Sequence, residues 1–424
     1  MRKVILMLAL AVSLLLPSCS STRPFADTDF FASPDVPLEE KLVSGGGIRT
    51  DVPMPEMYFD AAGYLARLTG LVAEAQDYVI ITTFLGSSCP GLDDFYNLLA
   101  AKAEAGVDVY LIIDGVSSYD MTASADNMFP LYFLRDSGVN LIEYNPLSGM
   151  NLIQPGTLLV REHRKMVVVD GRWCTIGGMN MNYISLGADN IDLQRDSMYV
   201  FDSPSLARAL VSQFVIIWNE SSVNKIDADD FVIQEEGEGG IEAYLFNQGP
   251  GSEASMAAMY ASLFSSAREE IVMLPYLAFF DERMYSCLED ALARGVKVTI
   301  YVPIDSREYV QGALFYDYHR LVEAGFDVQM EYTGADTGRP LLHQKLCVVD
   351  GRYTVIGSSN INFRSMGLSH ELALVMDSRE FAEASLEQVA SLAEGMQPLT
   401  LEDALSLKEE LGNLFSYLFS YFGG

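Results

Sequence analysis

His163-Arg-Lys-Met-Val-Val-Val-Asp-Gly-Arg172 and His343-Gln-Lys-Leu-Cys-Val-Val-Asp-Gly-Arg352 are one short sequence written twice, 180 residues apart. At that offset residues 163–187 and 343–367 agree at 13 of 25 positions, through Gly177/Gly357, Asn180/Asn360, Asn182/Asn362, Ser185/Ser365 and Gly187/Gly367. Two of the chain's four histidines occupy matched places. The duplication continues outside the motifs: residues 75–80 parallel 267–272, 105–109 parallel 294–298, and 137–141 parallel 324–328. Order is kept while loop lengths drift, which predicts two homologous halves.

Each motif predicts a β-hairpin, because a β-branched run meets Asp-Gly, the strong signal for a two-residue turn, and a second apolar run follows. With residues 170 and 171 as the turn, His163 faces Gly178; in the second copy His343 faces Ser358. Side chains alternate along a strand and opposed residues share a face. His163, Lys165 and Asn180 are therefore expected together, as are His343, Lys345, Ser358 and Asn360. Asp170 stands five residues from Lys165, roughly 16 Å along an extended strand. Its own chemistry reads as turn formation through local backbone; a catalytic contact would have to be with the other half. Metal binding fits poorly, since lysines would enter the first shell and no Cys or second His falls at zinc spacing. Ammonium and amide donors around a neutral imidazole suit an anionic tetrahedral centre instead.

These residues resemble the paired His-Lys-Asp motifs of the phospholipase D superfamily. Arg161-Glu-His163-Arg-Lys165 with Gly177-Gly178-Met-Asn180, and Leu342-His343-Gln-Lys345 with Gly357-Ser358-Ser-Asn360 and Arg364-Ser365, resemble its cardiolipin synthase-like branch. Arg195-Asp196 resembles a Trp-Arg-Asp signature in which Gln194 replaces the Trp. The resemblance implies an α/β fold of two α/β/α sandwich halves about a pseudo-twofold axis, with a single cleft between them. It implies a catalytic set of His163, Lys165, Asp170, His343, Lys345 and Asp350. Asn180, Ser358 and Asn360 would hold phosphate oxygens, with no metal or other cofactor. One histidine attacks phosphorus and the other protonates the departing alcohol; His163 is chosen as nucleophile. Superfamily members place a histidine-orienting Glu at the position of Glu371. The halves realign as Arg195-Asp196 against His370-Glu371 after five extra residues, so Asp196 is its counterpart. Asp196 is expected on His163 and Glu371 on His343.

Alternating helical stretches and short apolar strands in each half agree with α/β layers, and 424 residues suffice for two domains. Residues 51–230 and 231–424 are the expected halves, joined near Glu235-Glu-Gly-Glu-Gly-Gly240. Residues 1–18 read as an export signal, with Arg2-Lys3 before an apolar run too short to span a bilayer. Leu16-Pro-Ser-Cys19 resembles a bacterial lipobox, which implies lipidation of Cys19, residues 19–50 as a tether, and placement at the outer membrane facing the periplasm. Cys174 and Cys347 are expected as buried thiols and His319 as structural; the aromatic C-terminus reads as a last helix packed on the second half or as an aromatic wedge at the lipid interface near the cleft.

With 58 acidic and 27 basic residues and a net charge of −31, the chain lacks the basic footprint of nucleic-acid binding. Arg161, Arg164, Arg172, Arg195, Arg352 and Arg364 gather near the motifs, which reads as a locally basic cleft for one phosphodiester. The expected substrate is a phospholipid such as phosphatidylglycerol, met at a membrane surface. Three functions compete: a phosphatidyltransferase of cardiolipin synthase type, a hydrolase of lipids or less readily of nucleic acids, and a silent lipid-binding scaffold.

Overall fold

The computed structural model describes residues 27–115, 129–146, 160–187, 193–235, 240–303, 308–331, 340–409 and 411–420. The export signal, Cys19 and most of the five-residue insertion after Gly187 lie outside them. In chain order the strands of the first half are β1 (Ile48–Val52), β2 (Glu56–Tyr58), β3 (Tyr78–Thr83), β4 (Asp108–Asp114), β5 (Asn140–Tyr144), β6 (Met166–Val169), β7 (Trp173–Gly177), β8 (Gln194–Arg195) and β9 (Met198–Asp202). Those of the second are β10 (Ile241–Gln248), β11 (Glu270–Pro275), β12 (Lys297–Val302), β13 (Asp327–Met330), β14 (Leu341–Leu342), β15 (Lys345–Val349), β16 (Tyr353–Gly357), β17 (Glu371–Asp377) and β18 (Gln397–Pro398).

One sheet has the order β2-β9-β7-β6-β3-β4-β5 and the other β1-β10-β17-β16-β15-β11-β12-β13-β18. Seven strands of each correspond one to one, in the same order. The central strands β3, β6, β11 and β15 are buried on both faces, so their sequences are near-continuous apolar runs. Period-2 alternation then sorts side chains between cores: Val79 and Ile81 face the first half's own helices, whereas Ile80 faces a core shared with Val348 and Leu374 of the second half. Helices Pro204–Ser221 and Arg379–Leu392 contribute Leu210, Phe214, Phe381 and Val389 to that shared core. The halves are thus fused through a shared apolar core.

Three expectations need correction. Residues 27–50 are folded, where a tether was expected: helices Thr28–Ala32 and Leu38–Ser44 pack on helix Ser255–Ser266, and β1 pairs antiparallel with β10 along its whole length. Phe31, Leu42 and Val52 supply the apolar surface, and the buried Lys41 ammonium donates to Ser265 Oγ at 2.7 Å and Ser33 O at 2.9 Å. Asp51 and Val52 consequently belong to the second sheet, and the chain reaches the first sheet only after Pro53. At the other join, Phe231 stays with the first half, 5.0 Å from the Tyr78 ring.

The hairpin register is the third. Val169 pairs with Trp173 and Val349 with Tyr353, one residue beyond a simple two-residue loop. Asp170-Gly171 and Asp350-Gly351 do form the turns, all four at positive φ. Arg172 and Arg352 follow as extra residues that bulge out and pair with Asp202 and Asp377.

Candidate active site

His163 and His343 lie just before β6 and β15, where the two halves meet. Both imidazoles and both lysine side chains are buried. His163 Nδ1 is 3.0 Å from the Glu371 carboxylate. His343 Nδ1 is 2.6 Å from Asp196 Oδ2. The expected pairing is therefore crossed: each histidine is held by the carboxylate of the opposite half.

Backbone pairing between the halves is the cause. His163 N–H donates to His370 O and His370 N–H to Arg161 O. By pseudo-symmetry β14 runs parallel to β8, and His343 N–H donates to Arg195 O. The segment leading into each histidine thus lies beside the segment leading into the other half's carboxylate. Asp196 and Glu371 are indeed counterparts, as the sequence alignment has them; only their partners are exchanged.

Small residues admit the carboxylates. A Cβ on Gly178 would stand 2.2 Å from Asp196 Oδ1. Its counterpart Ser358 donates to Glu371 Oε2 at 2.6 Å and accepts from Leu372 N–H at 3.0 Å. Ser358 therefore holds Glu371, and its proton is engaged away from the phosphate position first expected of it. Asn180 Oδ1 accepts from Leu85 N–H at 3.2 Å, which leaves its NH2 end for another acceptor. Asn360 Oδ1 is buried without a hydrogen-bond partner. Asn182 and Asn362 cap the next helical turns through Ser185 and Ser365 N–H.

Lys165 Nζ donates to His163 O at 2.6 Å, and Lys345 Nζ contacts His343 O and, at 2.9 Å, His343 Nδ1. Each ammonium also faces a ring: Lys165 over Phe84 at 5.2 Å, Lys345 over Tyr276 at 4.9 Å. The same rings pack on the histidines, Phe84 on His163 and Tyr276 on His343. These aromatics were missed in the sequence, although they are 192 residues apart, the offset already seen for residues 75–80 and 267–272.

Burial, joined by the Lys165, Arg364, Lys345 and His343 charges, holds the His163 pKa well below the ordinary imidazole value. Burial and Lys345 bring His343 down to about 4, against the pull of Asp196. Burial lowers the Lys165 ammonium to about 7, with Glu371 opposing it. The carboxylates differ. Burial raises Glu371 to about 7 despite Lys165; for Asp196 burial acts the same way, but Lys345 and His343 outweigh it and keep the carboxyl ionised. With Nδ1 of each ring held, Nε2 is the nitrogen left for chemistry.

Asp170 and Asp350, taken with the catalytic set, sit at the far ends of the hairpins. Asp170 accepts from Gln76, Asp77 and Tyr78 N–H, and Asp350 from Arg268, Glu269 and Glu270 N–H. Each pins its turn to the start of β3 or β11 and touches no imidazole. The basic-cleft reading also changes. Arg161 pairs with Asp114, Arg164 with Glu162, Arg172 with Asp202, Arg195 with Glu331 and Arg352 with Asp377. Arg364, 5.9 Å from the Phe84 ring, is the arginine of the six placed beside the histidines.

Cys89, Cys174, Cys287 and Cys347 are buried free thiols. His319 bonds Tyr316 O and Lys408 Nζ, and helix Leu411–Ser420 packs on helix Glu308–Glu323, as expected for structural elements. Among the described residues no helix is long and apolar enough to cross a membrane, and no group of three or more His, Cys, Asp or Glu is placed to hold a metal ion.

The probable cardiolipin synthase YwiE of Bacillus subtilis (strain 168) is 26% identical over 353 residues, 81% of this chain and 68% of that protein. A cardiolipin synthase of Alkalihalophilus pseudofirmus is 28% identical over 284 residues, 65% of this chain and 53% of the relative. The chain thus spans between about half and two thirds of these relatives' lengths. The crystal structure of phosphatidylserine synthase from Haemophilus influenzae Rd KW20 superposes with a TM-score of 0.69 at 14% identity, over 91% of this chain and 99% of that one. That likeness establishes the two-halved fold. The family described as cardiolipin synthase, phospholipase D-like domain matches residues 68–218 and 260–392, one match in each half. This chain belongs to that family, the phospholipase D-type phosphatidyltransferases of cardiolipin synthase kind.

Proposed function

We propose that the chain transfers a phosphatidyl group between phosphatidylglycerol molecules through a phosphohistidine, forming cardiolipin and releasing glycerol. The reading rests on one observation: two buried imidazoles, each fixed at Nδ1 by the other half's carboxylate. His163 Nε2 attacks phosphorus as His343 gives a proton to the departing glycerol oxygen. His343 then takes the proton of the acceptor hydroxyl, which displaces His163 from phosphorus. The roles are assigned from the carboxylates. Ionised Asp196, 2.6 Å from His343, opposes the burial and the Lys345 charge that hold this imidazole at about 4, and a bound phosphodiester anion adds to that pull, so His343 is the ring that takes up the proton it later gives. Glu371 is the weaker acid and leaves His163 neutral. Lys165, Lys345 and the Asn180 amide offer donors to the non-bridging oxygens.

The same site hydrolyses the lipid if water replaces the acceptor alcohol, and the names of the relatives favour transfer. Lipidation of Cys19 would anchor the protein to the bacterial envelope, at the outer membrane. The test is incubation of the purified protein with phosphatidylglycerol vesicles, resolving cardiolipin, phosphatidic acid and glycerol. Cardiolipin with equimolar glycerol is expected; phosphatidic acid alone would make the protein a hydrolase, and no lipid product would remove the reading. Cys19→Ala should free the protein from membranes or leave it unexported, and wild-type membrane recovery would remove the anchor.

A further inference from the structure

Tyr183 and Phe363 are large aromatic side chains, each 41% exposed, at matched places in the two halves. Single exposed aromatics are ordinary; a pair repeated at pseudo-twofold-related places, three residues after matched site asparagines, is not. Each opens a one-turn helix, Tyr183–Gly187 or Phe363–Gly367, directly after a capping asparagine that is itself buried. Asn182 Oδ1 accepts from Ser185 N–H at 3.1 Å and Asn362 Oδ1 from Ser365 N–H at 2.8 Å. The asparagine and the residue two beyond the aromatic are buried in both copies, so the cap fixes the aromatic on the outward side of a rigid turn.

Those turns border the catalytic groups. Asn180 and Asn360 precede the aromatics by three residues. Arg364, next to Phe363, reaches over the Phe84 ring that packs on His163. Phe363 therefore marks the lip beside His163, and Tyr183 the lip related to it by the pseudo-twofold. We infer that Tyr183 and Phe363 are a paired interfacial anchor that enters the headgroup region of a bilayer and sets the cleft mouth against it. The inference rests on the lipid-transfer reading above. A net charge of −31 gives the chain no overall attraction to an anionic lipid surface, whereas aromatic rings seat at the headgroup level without relying on charge.

The full-length protein tests this with Tyr183→Trp and Phe363→Trp, each compared with the unaltered protein's own tryptophans. On vesicles of phosphatidylglycerol and phosphatidylcholine, the added tryptophan should shift to the blue and be quenched by phosphatidylcholine brominated near the headgroup. Quenching no greater than in the unaltered protein would overturn the inference, even if the protein turned over no lipid. In kinetics, Tyr183→Ser/Phe363→Ser should lose about ten- to a hundredfold in kcat/KM on vesicles, one to two decades of partition for two interfacial rings. On dihexanoyl phosphatidylglycerol below its micelle concentration, kcat/KM should stay within about threefold. Equal losses on both substrates, or none on vesicles, would contradict an anchoring role. Absence of turnover in the unaltered protein would count against the lipid-transfer reading, and the quenching would still decide the anchor.

Discussion

Glu371→Gln is the substitution that separates the crossed arrangement from an uncrossed one. Glutamine keeps the shape of the side chain 3.0 Å from His163 Nδ1 but removes the carboxylate that fixes the tautomer. Loss of a correctly protonated catalytic base commonly removes about 10²–10⁴-fold in rate, equivalent to about 3–5 kcal/mol of activation free energy. A buried pair 3.0 Å apart belongs within that range. The effect should fall on formation of the phosphoenzyme, read as a slowed burst in rapid-quench experiments. Nitrogen-15 spectra of the imidazoles should show His163 changing tautomer while His343 keeps its own, and Asp196→Asn should do the reverse. A change confined to His343 in Glu371→Gln, or a loss of less than about fivefold, would refute the assignment.

The same glutamate affects stability. Its folded pKa of about 7 lies above the ordinary 4.5, so the folded state holds the proton more tightly than the unfolded chain. Glu371 therefore destabilises the fold increasingly as pH rises from about 4.5 through 7. Denaturation should show Glu371→Gln gaining stability relative to the unaltered protein between pH 5 and pH 8; a constant difference would contradict the raised pKa. Asp170→Ala frees three backbone N–H groups and should lower stability by about 1–3 kcal/mol, with activity per folded molecule within about threefold. Abolished activity in a folded Asp170→Ala protein would return that residue to the catalytic set. Arg164→Met leaves Glu162 buried without its partner at 2.6 Å and should cost about 3–5 kcal/mol in unfolding free energy; a loss below about 1 kcal/mol would mean the pair contributes little.

Local periodicity made much of this legible. His163 and Lys165 share a site because residues two apart on an extended chain share a face, whatever the hairpin register. The Asp-Gly turns were also readable, and so was the structural part played by Asp170. The bulges at Arg172 and Arg352 were not, because an extra residue after a turn is selected by side-chain partners on a third strand, Asp202 and Asp377. The exchange of Asp196 and Glu371 was hidden for a different reason. A pairwise alignment of the halves finds counterparts, but the contact between residues 161–163 and 370 is made across the pseudo-twofold, and nothing local encodes it. The folded stretch from Thr28 to Val52 was missed likewise, since its partners stand some 200 residues onward on β10 and helix Ser255–Ser266.

The central claim is that His163 carries the phosphatidyl group. Phosphatidylglycerol labelled in its phosphate, mixed with the protein and quenched with denaturant at high pH, should leave label on the peptide containing His163. The label should be acid-labile and absent from His163→Ala. Label on the His343 peptide would reverse the roles of the two histidines, and turnover without label on any histidine would contradict the phosphohistidine mechanism itself.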